Sequence, residues 1–364
     1  MLRIILYMVF LPVGMLYGQT LAQKYPSYRY VFSEFDVESD FIYNRDFVYF
    51  VSRYERRIKR FYRASIQRGE NFMPILQRKL VDDGLSDLLI YLSMVESGFT
   101  PTIVSSKKAV GLWQFMPKTA KSYNLTVSRN LDERCDPVAS TDAAIAHLEH
   151  LYEKFGKWYL AIMAYNCGEG RLAKAIKQMG TERLDRLIGS DSVLPVETRL
   201  YIQKILLAAM IGESISLGFE SMQKVQTKAG VFRVKVDGGA CWKRIAKMLE
   251  VDSKKLQRLN PQYRSDCLPE TKSEYEIVIP EDKIYAFYLR YELQTHSKIL
   301  ESEYMLPHEV KLGDTLEKIA KLYHSDTKSI KVANRKKSDF LEVGEILVVP
   351  VSKEQFDRIT KSSW

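Results

Sequence analysis

The chain has 364 residues, 46% of them apolar, and a formal charge of +9 at neutral pH. This length and apolar content exclude both one small core and a disordered chain, and they predict two or three folded domains. The positive balance implies anionic partners, yet no nucleic-acid-binding motif accompanies it.

After Arg3, Ile4 to Tyr17 form an apolar run, shorter than the ~20 residues of a membrane span. Thr20-Leu21-Ala22 then offers small residues at the outer positions of a cleavage site. Residues 1–22 therefore read as an export signal, with a retained membrane anchor as the alternative. No cysteine precedes Cys135, which excludes a cysteine-linked lipid at that junction. An exported basic chain meets cell-wall polymers and envelope membranes before it meets nucleic acid, so nucleic acid is not an expected partner. Cys135, Cys167, Cys241 and Cys267 lie two in each half. Export permits pairing within each half, but four cysteines in so long a chain make no disulfide framework, and small buried residues are the favoured reading. No cluster has metal-ligand spacing, so neither a metal nor another cofactor is expected.

Residues 23–75 form an N-terminal segment predicted to pack on the domain that follows. Tyr25 to Tyr43 is crowded with aromatic and acidic residues without an evident period and reads as extended. Asn44 to Arg68 reads as a basic amphipathic helix: Phe47, Phe50, Val51, Tyr54, Ile58, Phe61 and Ser65 mark one face, and Arg53, Arg56, Arg57, Lys59, Arg60 and Arg63 crowd the rest. It packs on its own domain or rests on an anionic surface. Phe72 to Val81 adds a short helix.

In Leu85 to Phe99, Ser86 can cap a helix, Leu88, Leu89, Tyr91, Leu92 and Val95 give it an apolar face, and Gly98 can end it. Glu96 stands in its last turn, four and seven residues after Leu92 and Leu89, on the face that is buried. Burial and the negative helix end both disfavour its charge and predict a protonated acid near neutral pH. Thr100 to Val110 is a loop by composition. Gly111-Leu112-Trp113-Gln114-Phe115-Met116 leads to a helix start at Pro117. Ser140 or Thr141 can cap a helix running to Phe155, and Trp158 to Tyr165 begins another, broken at Asn166-Cys167-Gly168. Gly168 lets a ligand approach the backbone closely. Leu194 to Ile205 starts a helix after Pro195 and carries Glu197, Arg199 and Tyr201.

Four stretches in order, Glu96-Ser97, Gly111 to Met116, Ala164 to Gly168 and Glu197 to Tyr201, resemble the motifs of the soluble lytic transglycosylase family. The resemblance covers about residues 47–213. It implies a mainly helical, goose-type-lysozyme-like catalytic domain, assigned to residues 76–220, acting on the glycan of peptidoglycan. It also implies that Glu96 is the catalytic acid, that Ser105 lies near it, that Gln114 binds the acetamido region, that Met116 lines the cleft, that Tyr165 and Asn166 belong to the active site and that Glu197 contacts substrate beyond the reacting ring. Taken as residues alone, Gln114 and Asn166 can satisfy loop backbone and Glu197 can cap its helix. Lys108 departs from the family, which has glycine there, and Cys167 stands where alanine is common.

Most glycosidases set two carboxylates across the scissile bond, whereas this motif set has one. The resemblance implies non-hydrolytic cleavage between N-acetylmuramic acid and N-acetylglucosamine, in which the muramic 6-hydroxyl attacks and a 1,6-anhydro ring forms. A hydrolytic goose-type muramidase and a non-catalytic wall-binding scaffold are the alternatives.

The second half repeats itself. Gly239 aligns with Gly313, Ile245-Ala246-Lys247 with Ile319-Ala320-Lys321, Asn260 with Asn334 and, after a short gap, Pro280 with Pro350. Both units read as strand, two short helices, strand. The second, residues 304–351, resembles a LysM domain, a module that binds N-acetylglucosamine-containing glycans. Loop residues Gly313, Asp314, Thr315, Ile330 and Asn334 are its candidate glycan contacts. The first, residues 225–282, has Gly239-Ala240-Cys241 in place of the LysM turn and reads as a degenerate copy. Residues 283–303 read as a helical linker with Tyr285, Tyr288, Leu289 and Leu293 on one side, and 352–364 as a tail. The expected fold class is thus multidomain and mainly α, with a lysozyme-like helical domain followed by two small α+β modules.

Overall fold

The computed structural model describes residues 21–216, 231–292 and 304–361, apart from Arg335 and Lys337. Nearly all of the expected export signal and the later part of the expected linker lie outside the described residues. The chain divides into two compact units, Met1–Lys228 and Ala229–Trp364. No helix among the described residues is long and apolar enough to cross a membrane.

The described part of the first unit is built of helices, with isolated β-bridges such as Val104 to Val110 in its loops. In place of the extended segment expected from Tyr25 to Tyr43 stand helix α1 (Tyr28–Glu34) and a 3-10 turn (Ser39–Tyr43). Tyr25, Tyr28, Phe32 and Phe35 are all buried, and their three- and four-residue spacing is the helical period that the surrounding acids and aromatics obscured. Leu21 is 3% exposed and joins this core, so cleavage after Ala22 would remove a core side chain.

Helix α2 (Arg45–Gly69) starts at Asn44, whose side chain accepts from the Phe47 amide at 3.0 Å. Its buried face is the predicted one with an exchange: Tyr62 is buried, and Phe61 stays 37% exposed. Helix α3 (Met73–Asp82) and a 3-10 turn (Asp87–Leu89) capped by Ser86 lead into α4 (Ile90–Ser97). After α5 (Pro117–Ser122), α6 (Pro137–Phe155) is capped by Asp136, which accepts from the amides of Val138 and Ala139. Ser140 and Thr141, the expected caps, are instead buried one turn in. Helices α7 (Trp158–Cys167), α8 (Glu169–Met179), α9 (Leu184–Ile188) and α10 (Val196–Ser216) complete the unit. Helix α10 is apolar almost all round and packs against α1, α2, α4 and α7. A helix of that composition belongs at the centre of a domain.

The second unit contains the repeat. Strands β1 (Val231–Asp237) and β2 (Glu274–Pro280) pair antiparallel with Val234 opposite Ile277, and α11 (Trp242–Leu249) and α12 (Ser253–Leu259) connect them. Strands β3 (Tyr304–Glu309) and β4 (Ile346–Val351) pair in the same way, with Leu306 opposite Val349, around α13 (Leu316–Tyr323) and α14 (Thr327–Ala333). In the first module Cys241 and Cys267 form a disulfide, contrary to the expectation of unpaired buried cysteines, while Cys135 and Cys167 are free.

Two boundaries differ from expectation. The early part of the expected linker is part of the first module: Ile284, Phe287 and Tyr291 are buried, Tyr285 is exposed, and the Tyr291 hydroxyl accepts from the Asp237 amide at 2.8 Å. The buried face is therefore offset by one residue from the predicted one. The expected tail contains helix α15 (Lys353–Lys361), whose Phe356 and Ile359 pack on the core of the second module.

Candidate active site

Helix α4 is short and apolar, and it ends where Gly98 takes a left-handed conformation (φ 57°). A side chain at Gly98 would meet the Arg68 guanidinium 2.6 Å away and the Phe61 ring at 3.1 Å. The missing side chain lets α2 close over the helix end, and Arg68 donates to the Gly98 carbonyl at 2.7 Å. That cation meets the negative end of α4, and the last turn, with Glu96 in it, is fixed in place.

The Tyr201 hydroxyl of α10 donates to Glu96 Oε1 at 2.5 Å. Burial pushes the Glu96 carboxyl up to about 7. The Tyr201 hydrogen bond pulls against this, nearby Glu197 pushes the same way, and Lys204 pulls back. Desolvation wins, so the group holds its proton near neutrality and can both give and take one. Burial also holds the Tyr201 and Tyr165 phenols well above their ordinary range, and both remain donors.

The segment carrying Gln114 and Met116 is pinned from several sides. Ser93 of α4 donates to the Leu112 carbonyl at 3.1 Å, the Trp113 indole to Thr141 of α6 at 2.8 Å, and Tyr165 of α7 to the Trp113 carbonyl at 2.7 Å. Buried Arg134, paired with Asp132 at 2.8 Å, reaches the carbonyls of Lys108 and Phe115. Gly111 is required here: at φ 88°, a Cβ would lie 1.8 Å from the Arg134 carbonyl oxygen.

Lys108 lies in the left-handed region at φ 67°. This is the backbone state that glycine adopts without penalty, so the conformation itself favours glycine at this position and lysine adopts it at a cost. The turn nevertheless closes, with the Lys108 amide donating to the Ser105 carbonyl at 2.9 Å and the lysine side chain exposed.

The other candidates are arranged as follows. Gln114 (φ 49°) donates its amide hydrogens to the carbonyls of Gly111 and Ile103, which leaves its oxygen able to accept from an acetamido N–H. Met116 is 43% exposed at the start of α5. Asn166 accepts from the Thr198 hydroxyl at 2.8 Å, leaving its amide hydrogens as donors. Ser105 Oγ accepts from the Ala109 amide at 3.0 Å and thus shapes the turn. Glu197 is exposed in the first turn of α10 and is close enough to raise the Glu96 pKa. Tyr165 is directed to backbone rather than to Glu96, and its ring packs on His147 with centroids 5.1 Å apart. Sequence reasoning did not single out Tyr201 as the residue that holds Glu96. The available signal was its place four residues after Glu197, one turn along the same helix face.

Among the LysM-type candidates the structure separates loop from core. Ile330 is fully buried, and the Asn334 side chain donates to the carbonyls of Ile330 and Val348 and accepts from the Val348 amide, each at 2.7 Å. Asn260 makes the same three bonds to Leu256 and Val278. The repeated asparagine therefore joins the second helix of each module to its last strand, and Asn334 remains partly exposed whereas Ile330 lies in the core. Gly313 (φ 88°) forms the turn, Thr315 caps α13, and Asp314 accepts from the Lys311 amide and from His308. Among the described residues no group of three or more His, Cys, Asp or Glu is placed to hold a metal ion.

Comparison with known proteins follows this architecture. The Transglycosylase SLT domain family matches residues 73–188, the family described as "Lytic transglycosylase MltD, LysM-like domain" matches 231–296, and the LysM domain family matches 308–350. Membrane-bound lytic murein transglycosylase D of Escherichia coli (strain K12) is 30% identical over 293 residues, which cover 78% of this chain and 64% of that protein. Membrane-bound lytic murein transglycosylase C of Haemophilus ducreyi is 28% identical over 163 residues, 38% of this chain and 44% of that one. Among solved structures, the 70 kDa soluble lytic transglycosylase of Escherichia coli aligns with a TM-score of 0.33 at 21% identity, over 40% of this chain and 24% of that one. The chain thus resembles the lytic murein transglycosylases in both halves, with a helical, lysozyme-like SLT domain followed by LysM-type α+β modules.

Proposed function

We propose that this chain is a peptidoglycan lytic transglycosylase that breaks the bond between N-acetylmuramic acid and N-acetylglucosamine without water. One observation carries the reading: a carboxyl group raised to about pKa 7 by burial, against the opposing pull of the Tyr201 hydrogen bond, inside a segment that resembles the SLT domain. Such a group is a proton donor and acceptor at the same pH.

In the first step Glu96 gives its proton to the glycosidic oxygen, the bond from that oxygen to the muramic anomeric carbon breaks, and N-acetylglucosamine leaves as an alcohol. In the second, the muramic 6-hydroxyl oxygen bonds to the anomeric carbon while its proton returns to Glu96. The enzyme regains its starting state, and the product carries a 1,6-anhydro ring. Tyr201 steadies the carboxylate between the steps, since a hydroxyl donor favours the charged form.

Gln114 and Asn166 supply an acceptor and donors for acetamido and hydroxyl groups, Met116 an apolar contact, and Glu197 a polar contact further along the strand. Ser105 sets the loop beside them. The LysM-type modules hold the enzyme on its polymer and raise the local concentration of glycan at the cleft. The membrane-bound names of the relatives and the N-terminal apolar run support a location outside the cytoplasm, at the cell envelope or in the periplasm. The basic face of α2 suits peripheral contact with envelope membranes.

Mass spectrometry of purified peptidoglycan after digestion tests the reading. Wild type should release muropeptides with anhydro ends, and Glu96→Gln should lose at least ~100-fold in rate. Undiminished activity in Glu96→Gln would rule the assignment out.

A further inference from the structure

Four aromatic rings from separate parts of the first unit meet at the segment that carries Gln114 and Met116. Phe115, the residue between those two, is 2% exposed, and its ring centroid stands 6.5 Å from that of Tyr123, 6.2 Å from that of His147 and 6.2 Å from that of Tyr165. Tyr123 follows the last residue of α5, His147 lies on α6 and Tyr165 on α7. His147 joins the group together: its ring packs on Tyr123 at 5.2 Å and on Tyr165 at 5.1 Å, and its Nδ1 shares a hydrogen bond of 2.9 Å with the Tyr123 hydroxyl. Neither His147 nor Tyr123 takes part in the proton transfers at Glu96.

Resting on the function just proposed, we infer that His147 is a positioning residue: with Tyr123 it fixes Phe115 and Tyr165, and through them the conformation in which Gln114 meets the acetamido group. Gln114 needs such support, because its φ of 49° is a left-handed state that a residue with a side chain keeps only where its surroundings impose it. On one side of it Tyr165 bonds the Trp113 carbonyl at 2.7 Å, and on the other the ring cluster encloses the Phe115 side chain while Val110 pairs with the Phe115 backbone. An imidazole suits this place because it packs on one phenol ring and bonds the hydroxyl of another, which sets its orientation as well as its position. The groups facing it are Tyr123, Tyr165, His150 one turn along α6 and Glu169 of α8. Glu169 is itself engaged by His150 at 3.0 Å and by Lys154 at 3.1 Å. Burial lowers the His147 pKa to about 4, with His150 adding to the effect and Glu169 opposing it. The ring is therefore neutral where Glu96 works, and Nδ1 can accept from Tyr123. Protonation fills Nδ1 and sets a charge among the rings, which loosens the support of Gln114.

Kinetics of the full-length protein on solubilised peptidoglycan strands test this. His147→Leu should raise KM about tenfold, the scale of one lost hydrogen bond with its packing, and leave kcat and the alkaline limb set by Glu96 in place, because a ground-state contact is weakened and the acid is untouched. Tyr123→Phe, which removes only the hydroxyl, should raise KM in the same direction and add nothing further in the double variant, since both changes remove one bond. His147→Asn, with a polar atom near the place of Nδ1, should recover part of the loss. In wild type KM should rise as pH falls through about 4, and in His147→Leu it should not. Variants that unfold more easily but keep the wild-type KM at a temperature where they are folded overturn the inference, by making His147 a core residue only. A lowered kcat with a displaced alkaline limb also overturns it, because His147 would then act on Glu96. If His147→Leu does not fold, Tyr123→Phe decides alone: an unchanged KM overturns the inference and a raised one supports it. Under each of these results the transglycosylase assignment stands, whereas failure of wild type to cleave the strands defeats that assignment and the inference with it.

Discussion

Tyr201 and Glu96 are 105 positions apart in sequence and share one hydrogen bond of 2.5 Å, from the phenol of α10 to the carboxyl at the end of α4. That bond favours the charged carboxylate and opposes the larger effect of burial. Tyr201→Phe should therefore raise the Glu96 pKa further, move the alkaline limb of the pH–rate profile to higher pH, and lower kcat by about 10- to 100-fold. Rate measurements across pH check both effects. A profile that stays in place would mean that the two groups are not coupled.

The pH dependence of stability has a definite sign. Folded Glu96 keeps its proton up to about pH 7, against an ordinary value of 4.5. Between those values the unfolded chain binds fewer protons, so this group's contribution makes stability fall as pH rises through the window. Glu96→Gln removes the titration. At pH 8 the variant should be more stable than wild type by ~3 kcal/mol, and at pH 4 the difference should shrink toward zero. Thermal or urea unfolding at the two pH values measures this.

Lys108 occupies a left-handed backbone position with its side chain in solvent. Lys108→Gly should relieve that conformation and stabilise the chain by ~1 kcal/mol. Arg134→Met acts in the opposite direction, because it takes the guanidinium away from the buried Asp132 carboxylate and from two loop carbonyls. Its expected cost is ~3–5 kcal/mol. Chemical denaturation of both variants decides the matter, and a destabilised Lys108→Gly would contradict the backbone argument.

Asn334 fastens α14 to β4 within its module. Asn334→Ala removes three partly buried hydrogen bonds and should lower the stability of the second unit by about 2 kcal/mol, as should Asn260→Ala in the first module. Glycan binding measured at low temperature, where the variant remains folded, should be unchanged. Lost binding at full stability would return Asn334 to the list of glycan contacts.

Much of this was legible in the residues themselves. Glu96 was recognisable from its position on the buried face of an apolar helix ending at Gly98, and the repeat from matching Gly, Ile-Ala-Lys and Asn positions. The region from Tyr25 to Phe35 was misread because aromatic and acidic neighbours hid a sound helical period. The Tyr201 contact could not be read locally, since it depends on how α10 crosses α4. Asn334 had the right spacing for a loop residue, but its role is set by strand β4, whose backbone completes the three bonds. The Cys241–Cys267 pair likewise depends on the fold of the first module bringing the two together.

The central claim is that the attacking oxygen comes from the sugar and not from solvent. Digestion of purified peptidoglycan in heavy-oxygen water, followed by mass spectrometry of the released muropeptides, tests it directly. The expected products are lighter than the hydrolysis products by one water and carry no solvent oxygen at the muramic anomeric carbon. Muropeptides with one heavy oxygen at a reducing end would contradict the account and make Glu96 the acid of a hydrolase.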